Sequence, residues 1–199
     1  MSEAEEQPVP GRNRLLEAAV AAFSEKGFHG TTTRDIASGA GMSPAALYVH
    51  HRSKEELLHL IAADGHRRVL DLARRTVASA SGPTAQLEAL MRTFAAHHAQ
   101  QHTVARVVNY ELAALAPDHL AEVMDLRQQI DAVIRRVVED GMDSGEFVKA
   151  DPGMVTTAIS SLGIDIARWY REDGAWTPEE IGEEYADLAL RLVGARRSA

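Results

Sequence analysis

Residues 31–58 read TTTRDIASGAGMSPAALYVHHRSKEELL, and this stretch decides the fold. It predicts a short helix from about Thr33 to Gly39, a turn at Ala40-Gly41-Met42, and a second short helix opened by Ser43-Pro44. A serine oxygen there accepts an orphan backbone N–H, and a proline at the first helical position has none to lose. Ile36, Ala37, Ala40 and Leu47 pack the two helices as core, with the small Ala37 permitting close approach. Gly41 sits where the backbone must turn. Ser53-Lys54-Glu55-Glu56 is a capping box that starts a long helix. Two short helices about a glycine turn are the geometry of a helix-turn-helix, whose second helix enters the DNA major groove.

The residue types suit that use. Pro44, Ala45 and Ala46 are small and let the second helix approach the groove closely. Its N-terminus at Ser43 presents backbone N–H groups and the positive end of the helix dipole. Thr31, Thr32, Thr33, Arg34, Tyr48, His50 and Lys54 can donate to phosphates. Two of these have a plainer reading: Thr33 as an N-cap only, and Lys54 as a solvated first-turn residue.

Charge follows the same division. Net charge is −8 over 199 residues, yet residues 12–54 hold six bases against three acids, a net of +3. A basic head in front of an acidic body points to DNA despite the total. The remaining composition, 45% hydrophobic and 25% charged, is that of an ordinary globular protein. With no cysteine, disulfides, thiolate zinc sites and cysteine nucleophiles are excluded. No apolar run approaches the roughly 18–20 residues of a membrane span. Met1 to Pro10 lacks the order of a signal peptide, so a cytoplasmic location is expected.

Outside the motif almost every segment reads as helix, giving an all-α architecture of three short helices followed by about six longer ones. Leu15, Leu16, Ala19, Ala22 and Phe23 form an apolar stripe that Gly27 ends. Ser81-Gly82-Pro83 is the clearest breaker. Thr84 to about Leu115 reads as helix interrupted near His102, and Asp118 to Met142 as one long amphipathic helix. Asp151-Pro152 caps a mostly apolar helix, and Thr177-Pro178-Glu179-Glu180 opens the last. The expected division is an acidic disordered tail (1–11), a helix-turn-helix domain (12–52) and a larger helical body (53–199).

The stretch from Ala18 to Leu58, FxEKGFxGTTTRDIAxGAGMSxxxLYxHxxSKEELL, resembles the DNA-binding head of TetR-family repressors. The resemblance implies a homodimer that binds a roughly palindromic double-stranded operator and is released by a small effector. It places Thr32, Thr33 and Arg34 near the operator, Ser43, Pro44, Ala45 and Ala46 in the groove, and Tyr48, His50 and Lys54 on phosphates. His51 departs from the family, which usually has a buried phenylalanine there. The last two helices resemble the family's dimerisation unit, with Ile159, Leu162, Ile166, Leu188, Leu190 and Leu192 as apolar surface.

The body shows no enzyme signature: no glycine-rich phosphate loop, no GxSxG elbow, no HExxH. An enzyme built on Glu111, His97 and His102 is the remote alternative. His98 and His102 lie one helical turn apart, a metal-ligand spacing without a matching carboxylate, so neither metal nor cofactor is expected. Arg168-Trp169-Tyr170-Arg171 closes an apolar helix and reads either as core and cap or as an anchor for an anionic, partly apolar ligand. The run IARWYRxxGxxTxEEIxxxY, together with HHAQ at His97 to Gln100, is similar to the acyl-CoA-responsive TetR subgroup, and Ile164 departs from some members that carry tryptophan. That similarity implies an acyl-CoA effector of lipid or sterol catabolism, with a multidrug or metal effector on the same scaffold as the alternative. The expected site has Leu90, Met91, Phe94, Val107, Val108 and Leu112 as lining, Arg106 and Arg168 as cations, and Trp169 beside them.

Overall fold

The computed structural model describes residues 10–195. Most of the expected N-terminal tail therefore lies outside the described residues. Its last residues, Pro10 and Gly11, already begin a helix. The described residues form nine α-helices and one 3-10 turn, with no strand.

The head comprises α1 (Pro10–Gly30), α2 (Thr33–Gly39) and α3 (Pro44–His50). Regular geometry in α1 breaks at Gly27, whose φ of 69° lies in the left-handed region, so the expected stop sits where glycine places it. Thr32, not Thr33, is the N-cap of α2: its hydroxyl accepts from the Asp35 N–H while the Asp35 carboxylate accepts from Thr32 N–H. Ser43 caps α3 by accepting from the Ala46 N–H. The body comprises α4 (Lys54–Ser79), α5 (Pro83–Gln100), α6 (His102–Tyr110), α7 (Pro117–Ser144), α8 (Pro152–Trp169) and α9 (Pro178–Leu192). The 3-10 turn Leu112–Ala114 links α6 to α7. Five of these six begin with proline at the first helical turn or with a side-chain cap, as the sequence signals require. The expected box at Ser53 is half formed. Ser53 accepts from Glu56 N–H, but the Glu56 carboxylate takes the N–H of Arg52 instead.

Two main cores organise the chain. The larger joins α4, α5, α7, α8 and α9 around Leu87, Leu90, Met91, Ile134, Val138 and Ile159. The other holds Leu15, Phe23, Ile36 and Leu47 of the head against Leu57 and Leu58 of α4, Val107 of α6 and Val123 of α7. A division after residue 52 thus cuts through one continuous core, so a displacement of α4 or α6 is transmitted to the head by packing. No described helix is long and apolar enough to cross a membrane.

Candidate functional site

The helix-turn-helix presents its second helix outward. Ser43, Pro44, Ala45 and Tyr48 are exposed and Leu47 is fully buried, so α3 rests on one face and offers the other. Gly41, at φ 65°, makes the turn, and the Met42 N–H returns to the Ala37 carbonyl at 2.8 Å. The Tyr48 hydroxyl lies 3.4 Å from that of Thr33, placing two hydroxyls side by side across α2 and α3. Arg34 is exposed and pairs with no carboxylate among the described residues, leaving its guanidinium available. Val49, 81% exposed, stands on the same helix. In sequence, a valine at an interior helix position reads as core. On a recognition helix an exposed methyl pair suits a thymine methyl.

Three of the expected phosphate donors are held internally. Thr31 is buried, and its hydroxyl lies 3.0 and 2.8 Å from the carbonyls of Ala22 and Gly27. The Thr32 hydroxyl lies 2.6 Å from an Asp35 oxygen, and Lys26 adds an ion pair to the same carboxylate. Hydrogen bonds from Thr32 and Lys26 lower the Asp35 pKa to about 2. The Lys54 ammonium donates to the carbonyls of Phe28 and Thr31, each at 2.7 Å, and sits 4.3 Å above the Phe28 ring. It therefore pins the end of α1 to the start of α4 and is not a freely solvated residue. Beside it, the Phe28 N–H donates to the Glu111 carboxylate at 3.1 Å, tying head to body. Glu55 accepts from the Ala116 N–H and from His119, whose ring stacks on His59 at 3.8 Å.

His51 is 2% exposed, and neither ring nitrogen has a hydrogen-bond partner among the described residues. Burial holds its pKa below the usual histidine value; Arg12 and His50 lower it further, against Glu56.

The body encloses a cavity of about 690 Å³, within the range of small-molecule sites. Its wall is shared. Asn13, Leu16, Glu17 and Val20 come from α1 of the head, and the rest from α4 to α8. Apolar lining includes Ile61, Val69, Phe94, Val104, Val108, Ile130 and Ile164. Phe94 lies so close to α8 that a Cβ at Gly163 would fall 2.4 Å from its ring. The polar groups are Asp64, His66, Arg68, His97, His98, Gln101, Asn109, Arg127, Asp131 and Ser160 of the body, with Asn13 and Glu17 of the head. Burial pushes the imidazoles of His66 and His98 down to about 4, and each is opposed by a bond to the carbonyl four residues earlier. Ser160 donates to Asp131 at 2.9 Å, and Arg127 to Asn109 at 3.1 Å.

Of the nine expected effector residues, only Phe94 and Val108 line this cavity: Leu90 and Met91 are buried in the larger core, Val107 and Leu112 pack in the other, and Arg168, Trp169 and Arg106 lie elsewhere. Arg168 is exposed and locked to Asp165 by two bonds of 2.6 and 2.8 Å, one helical turn back. Trp169 packs edge-on against Trp176 and beside Tyr185, where α8 meets α9. Arg106 stands on α6 outside the lining. The cavity cations are instead Arg68 and Arg127. Of the three residues weighed for an enzyme, Glu111 holds Phe28, His102 donates to the Ala99 carbonyl at 3.1 Å, and His97 lines the cavity. No group of three or more metal-ligating side chains is assembled among the described residues.

The missed polar residues carried a signal. His66 falls on the row Leu58, Ala62, His66, Leu70, four residues apart throughout, so a histidine interrupts an otherwise apolar stripe. Arg127 and Asp131 follow Val123 at the same spacing on α7.

Ile159 and Ile166, expected on the dimer surface, are fully buried within the protomer. Ile159 belongs to the main core and Ile166 packs with Tyr170 and Ile181, so neither has surface left for a partner. Leu162, Leu188 and Leu192 are 37–43% exposed.

A model of the tetR family of bacterial regulatory proteins matches residues 15–61, and one of the tetracyclin repressor-like C-terminal domain matches residues 80–193. The repressor KstR2 of Mycobacterium tuberculosis is 31% identical over 183 residues, covering 90% of either chain. A solved tetR-family regulatory protein from Rhodococcus RHA1 superposes with a TM-score of 0.87 at 35% identity, over 95% of this chain and 100% of that one. The solved KstR2 of Mycobacterium tuberculosis, a ketosteroid transcriptional regulator, gives 0.86 at 28% identity, over 98% of this chain and 100% of its own. Family models across head and body agree with the helix-turn-helix and the cavity behind it: this chain belongs to the TetR family of bacterial regulatory proteins.

Proposed function

We propose that the protein is a homodimeric transcriptional repressor, acting in the cytoplasm without catalysis, whose grip on a roughly palindromic operator is released by an apolar small molecule. The observation that carries this reading is the shared wall of the cavity. Asn13, Leu16, Glu17 and Val20 lie on the helix that supports the helix-turn-helix, so a ligand among α4 to α8 also touches the head. Filling the cavity moves α1 and α4 relative to each other, and the Lys54 and Glu111 contacts carry that shift to the end of α1. Two recognition helices must reach successive major grooves about 34 Å apart, so a small change in separation weakens binding. Ligand release of DNA then follows from a higher affinity for the protein off its operator.

On DNA, Ser43, Pro44, Ala45, Ala46 and Val49 face bases, with Thr33, Arg34, Tyr48 and His50 on phosphates. Lys54 shapes the backbone near that surface and has one ammonium donor left for a phosphate. Leu162, Leu188 and Leu192 supply apolar surface for the dimer seam. The resemblance to the ketosteroid regulator supports an effector from lipid or sterol catabolism, carried as an acyl-CoA. Its apolar part suits the lining of Phe94, Val104, Ile130 and Ile164.

The test is selection of binding sites from random DNA, followed by anisotropy titration of the best site and release by an acyl-CoA panel. A palindromic site with affinity falling steeply as salt rises is expected, and Tyr48→Phe weakens all sequences about equally. Failure to select any sequence, or an operator complex indifferent to every apolar ligand tried, overturns the reading.

A further inference from the structure

We propose that the cavity selects a ligand bearing a hydroxyl group, which donates to the Nε2 atom of His98 while a neighbouring ligand oxygen accepts from Arg127. This deepens the effector reading above and rests on it.

His66 Nδ1 lies 2.8 Å from the carbonyl of Ala62, and His98 Nδ1 lies 2.9 Å from that of Phe94. A carbonyl only accepts, so the single proton of each neutral ring sits on Nδ1 and each Nε2 is a bare lone pair. Both side chains are at least 96% buried and both line the cavity. The Nε2 of His66 is closed off even from a water molecule, so a ligand in the cavity does not reach it. The Nε2 of His98 is not closed off in that way, and no described residue donates to it. A bare acceptor in a low-dielectric wall favours a donor strongly, because leaving it unpaired forfeits its hydration.

The other polar groups narrow the donor. Glu17, Asp64 and Asp131 share the wall with Arg68 and Arg127, and Arg68 is paired with Asp64 at 2.8 Å, so a ligand cation is opposed only locally, by the Arg127 charge that acts on the imidazoles. A carboxylate has no proton at neutral pH and would confront the imidazole lone pair and Asp131. An uncharged ketone accepts but cannot donate. A hydroxyl donates to an imidazole and tolerates the arginine, whose remaining N–H groups reach a second ligand oxygen. Asn109 does not compete. Its amide nitrogen donates to the Ala105 carbonyl at 2.9 Å, and its oxygen accepts from Arg127. The ligand class is an apolar molecule with a secondary or primary alcohol, whether on an acyl chain or on a fused-ring skeleton.

Matched alcohol–ketone pairs test this on the full chain at pH 7.5 by calorimetry: 2-dodecanol with 2-dodecanone, and testosterone with androstenedione, with dodecanoate as the anionic control. In at least one pair the alcohol is expected to bind tenfold or more tightly than its ketone and above dodecanoate. His98→Phe should lower alcohol affinity at least tenfold more than ketone affinity. In the wild-type protein, the 15N signal of the unprotonated His98 Nε2 should shift with the alcohol and not with the ketone, which decides the matter even if the variant fails to fold. Equal or tighter binding of both ketones, tighter binding of dodecanoate, no binding by either pair, or a preference that survives the substitution overturns the proposal. The effector reading fails separately, if an alcohol binds as expected yet leaves operator DNA bound. Conversely, alcohol and ketone releasing operator DNA at equal concentrations would sink the hydroxyl preference alone.

Discussion

His51→Phe should make the head more stable. The wild-type imidazole is 2% exposed with both nitrogens unpartnered among the described residues, so folding strips it of water and returns no hydrogen bond. An unsatisfied buried polar group costs about 1–3 kcal/mol. Phenylalanine keeps the planar ring and adds one ring atom, an increment whose packing penalty offsets part of the gain. A net stabilisation of about 2 kcal/mol is expected, or a rise in melting temperature of about 4–8 °C for a chain of this length. The pH dependence supplies a second, independent readout. Because burial holds the folded pKa of His51 below its unfolded value of about 6.5, the unfolded chain takes up the proton first, and stability falls as pH drops through that window. The variant lacks this loss, so the gap between variant and wild type should widen from pH 7.5 to pH 5.5. Calorimetric unfolding at fixed protomer concentration measures both quantities. A variant no more stable than wild type at pH 7.5, or a gap that stays constant on acidification, refutes the reasoning.

Three further outcomes follow from the same structure. Acidification should destabilise the wild-type body through His66 and His98, each losing about 2 kcal/mol between pH 6.5 and pH 5 as the unfolded imidazole protonates and the folded one, at about 4, does not; urea denaturation of His98→Phe should show a shallower pH slope than wild type. Lys54→Met should lower stability by about 2 kcal/mol in the absence of DNA, since the ammonium donates to two carbonyls at 2.7 Å; an unchanged melting temperature would return Lys54 to a phosphate role alone. Leu188→Glu with Leu192→Glu should convert the dimer to monomers in sedimentation at micromolar concentration while the helical content stays intact, because both side chains are more than 40% exposed in the protomer.

The local grammar of the chain was readable before any coordinates. Gly27, Gly41, Ser43-Pro44, Asp151-Pro152 and Thr177-Pro178 each mark an element end that the structure places within a residue or two. Caps and breakers act over four residues, so sequence contains all their physics. What it lacks is the choice between the two sides of a helix whose whole surface is apolar. On α8, Ile159, Leu162 and Ile166 look alike as letters, yet Leu162 is 37% exposed while both isoleucines are fully buried. Rotation about the helix axis decides that, and only the neighbours α5, α7 and α9 fix the rotation. The head–body ties were unreadable for the same reason. Glu111 to Phe28 spans 83 positions and Glu55 to His119 spans 64.

Arginine beside aromatic residues near Arg168 drew attention because it is conspicuous in sequence, but an exposed arginine one turn from an aspartate forms the local pair with Asp165. The informative residues were inconspicuous: single polar positions interrupting apolar rows. Three buried histidines share that pattern, and the structure separates them by what lies beside each ring. His51 lies outside the cavity lining, so its unpaired nitrogens are a standing loss that phenylalanine would remove. The unpaired Nε2 of His66 is closed off in the same way, whereas His98 borders empty volume, where an unpaired acceptor becomes a demand on whatever fills it. The same buried imidazole is thus a stability defect or a recognition group according to whether space remains for a donor to reach it. The two cases part in experiment, since phenylalanine at His51 raises stability without touching ligand binding, and phenylalanine at His98 removes a preference for alcohols.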